Sequence, residues 1–311
     1  MSITVVGSLA FDAVKTPFGE RERMLGGAAT HFALAASFFD TVRVVGPVGD
    51  DFGPAELEVL GTRGTDVADV EHVSGGRTFF WRGEYGWDLN SRETLATELG
   101  VFEHFEPELS AASRECDVLF LANIQPQLQL HVLEQVSSPR FVALDSMNLW
   151  IDIARDDLLE VISRVDCLIL NDAELRQLTG KPSLVGAARQ VLGLGPSVVV
   201  AKQGEYGAAL VTAEGFFALP AYPLEQVIDP TGAGDTFAGG FVGHIARQLE
   251  HATSDRVLRQ AMAYGTALAS YNVEEFGTER VHRLGFEEVQ ARVAELQHMT
   301  HFESDVAVAS P

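Results

Sequence analysis

The chain has 311 residues, 46% of them hydrophobic, and its 44 acidic and 22 basic residues give a net charge of −22. This length predicts one large or two ordinary domains with a sizeable core. The acidity argues against nucleic acid or an anionic membrane surface as a partner. A small anionic substrate stays compatible, because backbone dipoles at one pocket can override the global field.

The cysteine content and the N-terminal sequence indicate in which cellular compartment the protein is found. Cys116 and Cys167 each begin an apolar run and are predicted to be buried free thiols. The sequence has no disulfide framework or zinc-binding spacing, and its N-terminus lacks a signal-peptide pattern. No apolar run approaches the roughly 20 residues that span a bilayer. These features predict a protein of the reducing cytoplasm.

Short β-branched runs alternate with longer helical patterns along the chain. The predicted strands are 3–9, 42–49, 117–124, 141–145, 167–171 and 197–202. The predicted helices are 28–39, 127–136, 155–164, 184–193, 233–249, 255–271 and 286–297. Most of the strands are continuously apolar, as strands buried on both faces are. The alternation predicts an α/β fold with a central, mostly parallel sheet flanked by helices.

Two segments depart from this alternation. Residues 73–105 are aromatic, polar and interrupted by glycine, and they predict a small antiparallel flap with strands at 77–85 and 99–105. The segment after His298 has no clear period, so 299–311 is predicted to be a flexible tail. Residues 1–298 are then the folded domain.

Polar residues stand at the carboxyl ends of four apolar runs. They are Asn123, Asp145, Asn171 and Lys202. Ligands of open parallel sheets bind outside these strand ends, so the four predict a shared polar crevice. Turn or helix-cap roles explain any single one of them equally well.

The stretch DPTGAGDTFAGG, from Asp229 to Gly240, places glycines directly ahead of a predicted helix. Gly232 and Gly234 let the backbone approach a ligand, and the unpaired N–H groups of a helix start suit phosphate oxygens. Asp235 at this position can accept a proton from an alcohol. The spacing alone leaves open a simple alternative, in which Asp235 caps the helix after a tight turn. The later glycines of the helix, at 239, 240 and 243, predict close packing against the sheet.

The longer motif DPTGAGDTFAGGFVG resembles the signature of the ribokinase family, also called the PfkB carbohydrate kinases. Further pieces resemble the same family in the same order: GSLAFD and MLGGAATHFALAAS near the N-terminus, then NDAE, then KQGEYGAAL. The resemblance extends from about residue 3 to about residue 285. It implies a ribokinase-like fold with a β lid formed by about 12–25 and 73–105.

The resemblance implies roles for the glycine-rich stretch. Asp235 is the general base, and the N–H groups of Gly232, Ala233 and Gly234 form the anion hole for the transferred phosphoryl group. Asp229 and Thr231 match positions that hold a monovalent cation such as K⁺ in many relatives.

The resemblance also implies a nucleotide site for ATP with Mg²⁺. Asn171 and Glu174 match the NxxE motif, which organises Mg²⁺ through water, although a helix capping box explains these two residues as well. Lys202, Gly204 and Gly207 match the strand and turn that face ATP, and an ordinary hairpin is the alternative.

By the same resemblance, the acceptor binds at Asp12, Gly26, Gly27 and His31. His31 stands where many sugar kinases have the asparagine of GGxxxN, and a packed, hydrogen-bonded histidine is the alternative. Asp145 and Asn148 are one residue further apart than in the common DxN element. Both departures leave the acceptor open.

The predicted lid is rich in aromatic residues: Phe79, Phe80, Trp81, Tyr85 and Trp87. These side chains suit contact with a sugar face or a nucleobase, the lid's own small core, or a second subunit. Lid-to-lid dimers are common in the family, so the resemblance implies a homodimer.

Three functional hypotheses follow. The first is an ATP-dependent kinase that phosphorylates a primary alcohol of a sugar or sugar-like metabolite. The second is a nucleoside kinase of the same superfamily, and the third is a catalytically silent ligand-binding relative. A dinucleotide-binding G-x-G-x-x-G does not follow the first strand, and Lys181 lacks the flanking residues of a P-loop.

Overall fold

The computed structural model describes residues 1–302, which contain 13 strands and 12 α-helices. The strands are β1 (Ser2–Val6), β2 (Ala10–Thr16), β3 (Gly19–Gly26), β4 (Thr41–Val48), β5 (Val70–His72), β6 (Phe79–Tyr85), β7 (Arg92–Glu98), β8 (Val118–Leu121), β9 (Phe141–Asp145), β10 (Cys167–Asn171), β11 (Val198–Lys202), β12 (Ala208–Thr212) and β13 (Phe216–Leu219). The helices are α1 (Ala28–Ala36), α2 (Pro54–Leu60), α3 (Ala111–Arg114), α4 (Pro126–Gln135), α5 (Asn148–Ile153), α6 (Arg155–Ile162), α7 (Asp172–Thr179), α8 (Leu184–Leu192), α9 (Ala233–Arg247), α10 (Asp255–Asn272), α11 (Glu279–Arg283) and α12 (Phe286–Thr300).

The large sheet has nine strands in the order β13-β12-β11-β10-β9-β8-β1-β4-β5. Its strands from β11 to β5 are parallel, and β12 and β13 add an antiparallel edge. The predicted α/β class with a mostly parallel sheet is confirmed. Because parallel neighbours point the same way, the carboxyl ends of β8 to β11 share one edge of the sheet.

Helices cover both faces of this sheet and make two cores. Ile3 and Val5 of β1 face one core, which α1, α9 and α10 complete, while Val6 faces the other. Burying each such side chain contributes about 1.5–3 kcal/mol, so continuous apolar strands are stable only with both faces covered. Cys116 and Cys167 are buried and free, as predicted.

Helix α9 carries its glycines where two other helices approach it. A Cβ at Gly239 would lie 2.3 Å from the Phe32 carbonyl oxygen of α1, and one at Gly240 would lie 2.9 Å from the Tyr264 carbonyl oxygen of α10. The sequence predicted packing of these glycines against the sheet. This prediction was wrong, because the glycines contact α1 and α10 and let these two helices pack closely on α9.

The lid is a second sheet of four strands in the order β3-β2-β6-β7. The β2–β3 and β6–β7 pairs are antiparallel, but β2 and β6 are parallel. The antiparallel pairing predicted within 73–105 is confirmed by β6 and β7, and this pair joins β2 through the parallel β2–β6 pair. A parallel pair needs a long crossover, and here the connection between β2 and β6 includes α1, β4 and α2.

Two predicted boundaries also differ from the structure. The predicted strand at 99–105 is a 3₁₀ turn over Gly100–His104, and the lid strand is β7 instead. Gly100 has a φ of 55°, and the neighbouring Val101 and Phe105 are buried, so the apolar content of this segment reflects burial rather than a strand. Helix α12 continues to Thr300, while residues 303–311 of the predicted tail lie outside the described residues.

Candidate active site

The predicted polar crevice forms at the carboxyl ends of β9, β10 and β11. Lys202 Nζ donates to Asp145 Oδ2 at 2.7 Å, and Asn171 is the register partner of Lys202 across the β10–β11 pair. Asn123 instead accepts a hydrogen bond from the Trp150 indole at 2.9 Å. Three of the four strand-end residues therefore meet, while the fourth fixes a helix beside them.

The glycine-rich stretch bends ahead of α9 as predicted. Gly232 is the N-cap with a φ of 74°, a left-handed conformation that favours glycine. Among residues 1–302, the N–H groups of Gly232, Gly234 and Asp235 have no protein acceptor, whereas the Ala233 N–H donates to the Pro230 carbonyl at 3.3 Å. The structure thus replaces Ala233 of the predicted anion hole with Asp235. We call the three free amides the anion cradle.

Asp235 is the residue that the sequence analysis predicted as the base. No side-chain capping bond forms at this helix start, so the carboxylate is not used as an N-cap. It is partly accessible from the cleft. Burial of the remaining surface, followed by the negative charge of Asp145, raises the pKa of Asp235 to about 7. A carboxylate with such a pKa is well matched to accepting a proton near neutral pH.

Lys202 supplies positive charge beside the anion cradle. A Cβ at Gly234 would lie only 3.1 Å from Lys202 Nζ. Burial alone pulls the pKa of Lys202 down, but Asp145, Glu174 and Asp235 together raise it above its ordinary value. The ammonium group is therefore held in its charged form next to the amides.

A buried network lies behind the cradle and centres on Asn272 of α10, which the sequence analysis missed. Its Nδ2 donates to the Thr231 carbonyl at 2.7 Å, so its Oδ1 accepts from Thr236 Oγ1 and from His31 Nδ1, each at 3.0 Å. The proton of His31 is thereby assigned to Nδ1. No local sequence signal marks Asn272, because it ends a helix 36 residues after Thr236.

His31 packs directly under Gly232. A Cβ at Gly232 would lie 2.3 Å from the imidazole ring. The ring is 2% exposed, and its burial lowers the pKa to about 4. Nε2 has no partner among residues 1–302. A neutral, hydrogen-bonded histidine therefore supports the glycine bend from below.

Asn171 and Glu174 form the capping box that was the alternative to a metal role. Asn171 Oδ1 accepts from the Glu174 N–H at 2.7 Å, and Glu174 Oε2 accepts from the Asn171 N–H at 2.9 Å. Burial raises the pKa of Glu174, and the charge of Lys202 opposes this. The box leaves Glu174 Oε1 available toward the crevice.

Gly204 and Gly207 lie in the turn of the β11–β12 hairpin. Both have positive φ values, 58° and 96°. A Cβ at Gly207 would lie 2.0 Å from the Leu219 carbonyl oxygen, so only glycine fits there. Asn90 at the tip of the lid donates to Glu205 of this turn at 3.0 Å. The lid and the turn thus meet above the crevice.

Asp12 reaches the site from lid strand β2. Its carboxylate lies over Gly26, where a Cβ would lie 2.0 Å from Asp12 Oδ2. Gly27 has a φ of 97° and begins α1. Burial, then the charges of Asp229 and Asp235, raise the pKa of Asp12 to about 7. Of the predicted acceptor residues, Asp12, Gly26 and Gly27 therefore lie together beside the cleft, whereas His31 is buried under Gly232.

Asp229 is fully buried below the cradle. Its two oxygens accept hydrogen bonds from the N–H groups of Thr231, at 2.9 Å, and Gly277, at 3.0 Å. No basic side chain lies within 4.0 Å of it in the described part of the chain. Burial raises the pKa of Asp229. Within residues 1–302, no group of three or more His, Cys, Asp or Glu side chains is arranged to hold a metal ion.

The inner face of the lid adds a residue that the sequence analysis missed. Arg92 is the register partner of Tyr85, and Tyr85 OH accepts from Thr231 Oγ1 at 3.2 Å. Opposed residues of an antiparallel pair point to the same face, so Arg92 faces the cleft with Tyr85. Its charge opposes the burial that raises the pKa values of Asp12, Glu174 and Asp235. The alternating pattern of β7 shows which of its residues share a face with Arg92. Only the register of the β6–β7 pair shows that this face is turned toward the cleft.

The lid aromatics have different environments. Trp81 lies flat over Gly83, where a Cβ would lie 2.1 Å from the indole, and its Nε1 donates to Thr94 Oγ1 at 3.3 Å. Phe79 packs against Phe102, and Trp87 is 88% exposed. Phe80 packs on the core of the main domain. Trp81 and Tyr85 belong to a small apolar cluster with Val14 and Phe276, and Trp81 shares its face of the lid with Asp12.

Solved structures share this fold. The nucleoside kinase of Methanocaldococcus jannaschii, described as an archaeal member of the ribokinase family, superposes with a TM-score of 0.77 at 20% identity over 94% of this chain and 98% of its own. A Burkholderia thailandensis nucleoside kinase solved with inosine gives a TM-score of 0.73 at 20% identity, over 94% and 98%. The fold is therefore ribokinase-like.

The sequence comparisons identify the family. The model of the pfkB family of carbohydrate kinases matches residues 2–282. A cytidine kinase of Thermococcus kodakarensis is 32% identical over 254 residues, which are 79% of this chain and 89% of the relative. A nucleoside kinase of Methanothermobacter thermautotrophicus is 25% identical over 89% of this chain and 91% of its own. This chain belongs to the pfkB family of carbohydrate kinases.

No helix within residues 1–302 is both long enough and apolar enough to cross a membrane.

Proposed function

We propose that this kinase transfers the γ-phosphate of ATP to a primary hydroxyl group of a nucleoside, with Asp235 as the general base. A pair of residues on neighbouring lid strands, Asp12 and Trp81, supports a nucleoside as the acceptor. They are register partners in the parallel β2–β6 pair, so their side chains lie on the same face of the lid.

This pair suits a nucleoside better than a bare sugar. The carboxylate of Asp12 offers two acceptor oxygens for a ribose diol, and the indole of Trp81 offers a flat surface for a base. Stacking of a base on an aromatic side chain contributes about 1–3 kcal/mol. The cytidine kinase and nucleoside kinases among the relatives support the same acceptor class.

The chemical step follows from the surroundings of the cleft. Asp235 accepts the proton of the acceptor hydroxyl, whose oxygen then attacks the γ-phosphorus as the bond to the ADP oxygen breaks. The amides of the anion cradle and the ammonium group of Lys202 stabilise the transferred phosphoryl group. Arg92 brings a second positive charge from the lid. Asp12 binds the acceptor, while His31 supports the glycine bend from below.

The nucleotide is held at the turn of Gly204 and Gly207. Mg²⁺ is usually bound through substrate phosphates and a few protein carboxylates, which agrees with the lack of a dedicated metal cluster in residues 1–302. Glu174 is the protein carboxylate best placed to hold it through water, with Asn171 fixing its orientation. The Mg²⁺ neutralises charge on the transferred phosphate when bound.

A monovalent cation fits beside Asp229. This carboxylate is fully buried without a basic partner in the described chain, and an uncompensated buried charge is costly. Together with the Thr231 backbone it would hold K⁺. Replacing K⁺ by tetramethylammonium, which is too large to enter, is expected to lower both kcat and Tm. Equal values in both salts would contradict this part of the proposal.

The acceptor class is tested by measuring ADP release with Mg²⁺ and ATP on cytidine, uridine, adenosine, inosine, ribose, fructose and inositol. We expect turnover on at least one nucleoside with a kcat/KM well above that of any free sugar. Turnover on a free sugar but on no nucleoside would favour the hypothesis of a sugar kinase instead. No turnover on any acceptor would favour the silent relative.

A matched pair of variants tests the role of Trp81. Trp81→Leu is expected to raise the KM for the nucleoside about 5–100-fold, because the stacking surface is lost. Trp87→Leu serves as the control, since that indole is 88% exposed at the lid tip. Equal KM values for both variants would remove Trp81 from the acceptor site.

We also propose that two copies associate through their lids. β3 and β7 are the edge strands of the lid sheet, and exposed edges offer unpaired backbone groups for pairing. Leu95 of β7 is 50% exposed. Light scattering is expected to give twice the chain mass of 33.7 kDa, and Leu95→Lys is expected to weaken the dimer. A monomer at micromolar concentration would contradict this.

A further inference from the structure

A second cavity lies at the end of α9 that is opposite to the anion cradle. It is about 310 Å³ in volume, is open to solvent on one side, and is lined by Phe39 just after α1, the last turns of α9, α10, and α12. Its polar lining consists of His244, Arg247, Gln248, Arg256, Gln260 and Gln290. At about 1.5 Å of rise per residue, His244 lies roughly 14 Å along the helix from Asp235. No residue of the cavity belongs to the site described above.

The charge of this cavity is unusual for so acidic a protein. Among the residues that the structure describes, no carboxylate lines it. Within residues 1–302, neither Arg247 nor Arg256 has a carboxylate within 4.0 Å, whereas Arg259, one turn further along α10, pairs with Asp255 at 2.8 Å. Both side chains are exposed and Arg247 lies over the Phe286 ring at 5.8 Å, so neither guanidinium group is neutralised by a carboxylate of the described residues although the chain has 44 acidic residues.

His244 adds an unsatisfied polar group to the same cavity. Its ring is 7% exposed and stacks on Tyr264 at 4.7 Å between centroids. Nε2 has no hydrogen-bond partner in the described part of the chain, and buried polar atoms normally have one. Burial lowers the pKa of His244 to about 4; a hydrogen bond with Gln260 opposes this shift, and the charges of Arg247 and Arg256 add to it. The ring is therefore neutral and fixed by its aromatic neighbour.

We infer that this cavity is a second ligand site, which binds a small phosphate-bearing anion. Arg247 and Arg256 donate to the phosphate oxygens, as guanidinium groups do in charge-assisted pairs. Gln260 and Gln290 provide neutral amides for a further polar substituent of the ligand. The volume is at the lower end of the range for small-molecule pockets, which suits inorganic phosphate or a phosphate monoester and excludes a polymer.

The two buried histidines allow one experiment to separate this site from the active site. His31 lies under the anion cradle and His244 lines the cavity, so their ring NMR signals report the two sites independently. The signals are assigned with His31→Gln and His244→Gln. The full chain is then titrated with inorganic phosphate, a sugar monophosphate and a nucleoside monophosphate. These three arms distinguish free phosphate from its two kinds of ester.

We expect the His244 signals to shift and saturate with at least one of the three ligands. In Arg247→Gln/Arg256→Gln the apparent Kd at His244 is expected to rise about tenfold or more for each arginine, because a charge-assisted contact is lost. The His31 response and kcat are expected to remain, which shows that the variant is folded. Arg189→Gln is the control, since Arg189 lies on α8 without a carboxylate within 4.0 Å in the described chain.

Two results would overturn the inference. One is a His244 signal that none of the three ligands moves up to tens of millimolar. The other is a His244 shift of equal midpoint in the wild type and in the double variant, which would show that the two arginines bind nothing.

Discussion

The two sides of the active-site cleft are built in different ways. The cradle side comes from one short stretch, from Asp229 to Asp235, supported by the buried network of Asn272 and His31. The lid side is assembled from β2, β6 and β7, which are up to about 80 residues apart in the chain. The proposed base and the anion cradle are thus local in sequence, while the residues proposed to contact the acceptor depend on strand pairing.

The largest expected effect tests the cradle side. Asp235→Asn keeps the size of the side chain but removes the proton acceptor, so kcat is expected to fall about 10²–10⁴-fold. Binding of ATP, measured by calorimetry, is expected to persist. Asp255→Asn is the control, because Asp255 also lies in the first turn of a helix, the neighbouring α10. A variant that retains most of its turnover would show that Asp235 is not the base.

The same base predicts a pH profile. Because burial raises the pKa of Asp235 to about 7, its carboxylate is protonated below that pH and cannot accept a proton. The value of kcat/KM is expected to rise with pH through about 7 and then level off. A profile that is flat from pH 5 to 8 would contradict the raised pKa.

The next prediction tests the backbone shape of the anion cradle without changing any of its chemical groups. Gly232→Ala forces a side chain into a left-handed backbone position and to within 2.3 Å of the His31 ring. A misplacement of about 1 Å can cost about 10²-fold in rate, so kcat is expected to fall by about that factor, and Tm is expected to fall with it.

Adding His31→Ala to the Gly232→Ala variant tests whether contact with the His31 ring causes the loss of Tm. Removal of the ring relieves the overlap, so the double variant is expected to recover part of the Tm that Gly232→Ala loses, while the backbone strain remains. Gly215→Ala is the control, because Gly215 has open space where its Cβ would lie. Fully additive losses would show that His31 does not press on Gly232.

A smaller effect is expected on the lid side. Arg92→Gln removes a positive charge that faces the cleft, and kcat/KM is expected to fall about 10–100-fold, the value of one charge-assisted contact. Arg82→Gln is the matched control, since Arg82 alternates to the other face of the lid beside Trp81. If both variants lose the same activity, the effect comes from lid stability rather than from the cleft.

The smallest expected effect is on stability. The pKa of Asp12 is raised from 3.8 to about 7 in the folded protein, so the folded state holds the proton more tightly than the unfolded state does. The stability that this proton contributes is present below about pH 4 and is lost as pH rises through about 7. Asp12→Asn is therefore expected to raise Tm by several degrees at pH 8, with the difference vanishing near pH 4. A lower Tm at pH 8 would contradict the raised pKa.

Several features could be predicted from the sequence because their causes are local. The apolar runs of β1, β8 and β10 predicted buried parallel strands, since each run needs both faces covered. The glycine bend and the helix after it predicted a place for an anion, because the amides at a helix start belong to neighbouring residues. The family resemblance then supplied roles for these residues, and the family itself is confirmed.

Tertiary structure decided what depends on register and on distant contacts. Arg92 faces the cleft only because β7 pairs with β6 in one register, and a shift by one residue would turn it outward. The amide of Ala233 is occupied by Pro230, the bend is fixed by Asn272 from α10, and the glycines of α9 contact helices rather than the sheet. A local pattern determines which groups the backbone can offer, but only the packing of distant elements determines which of them remain free and what they face.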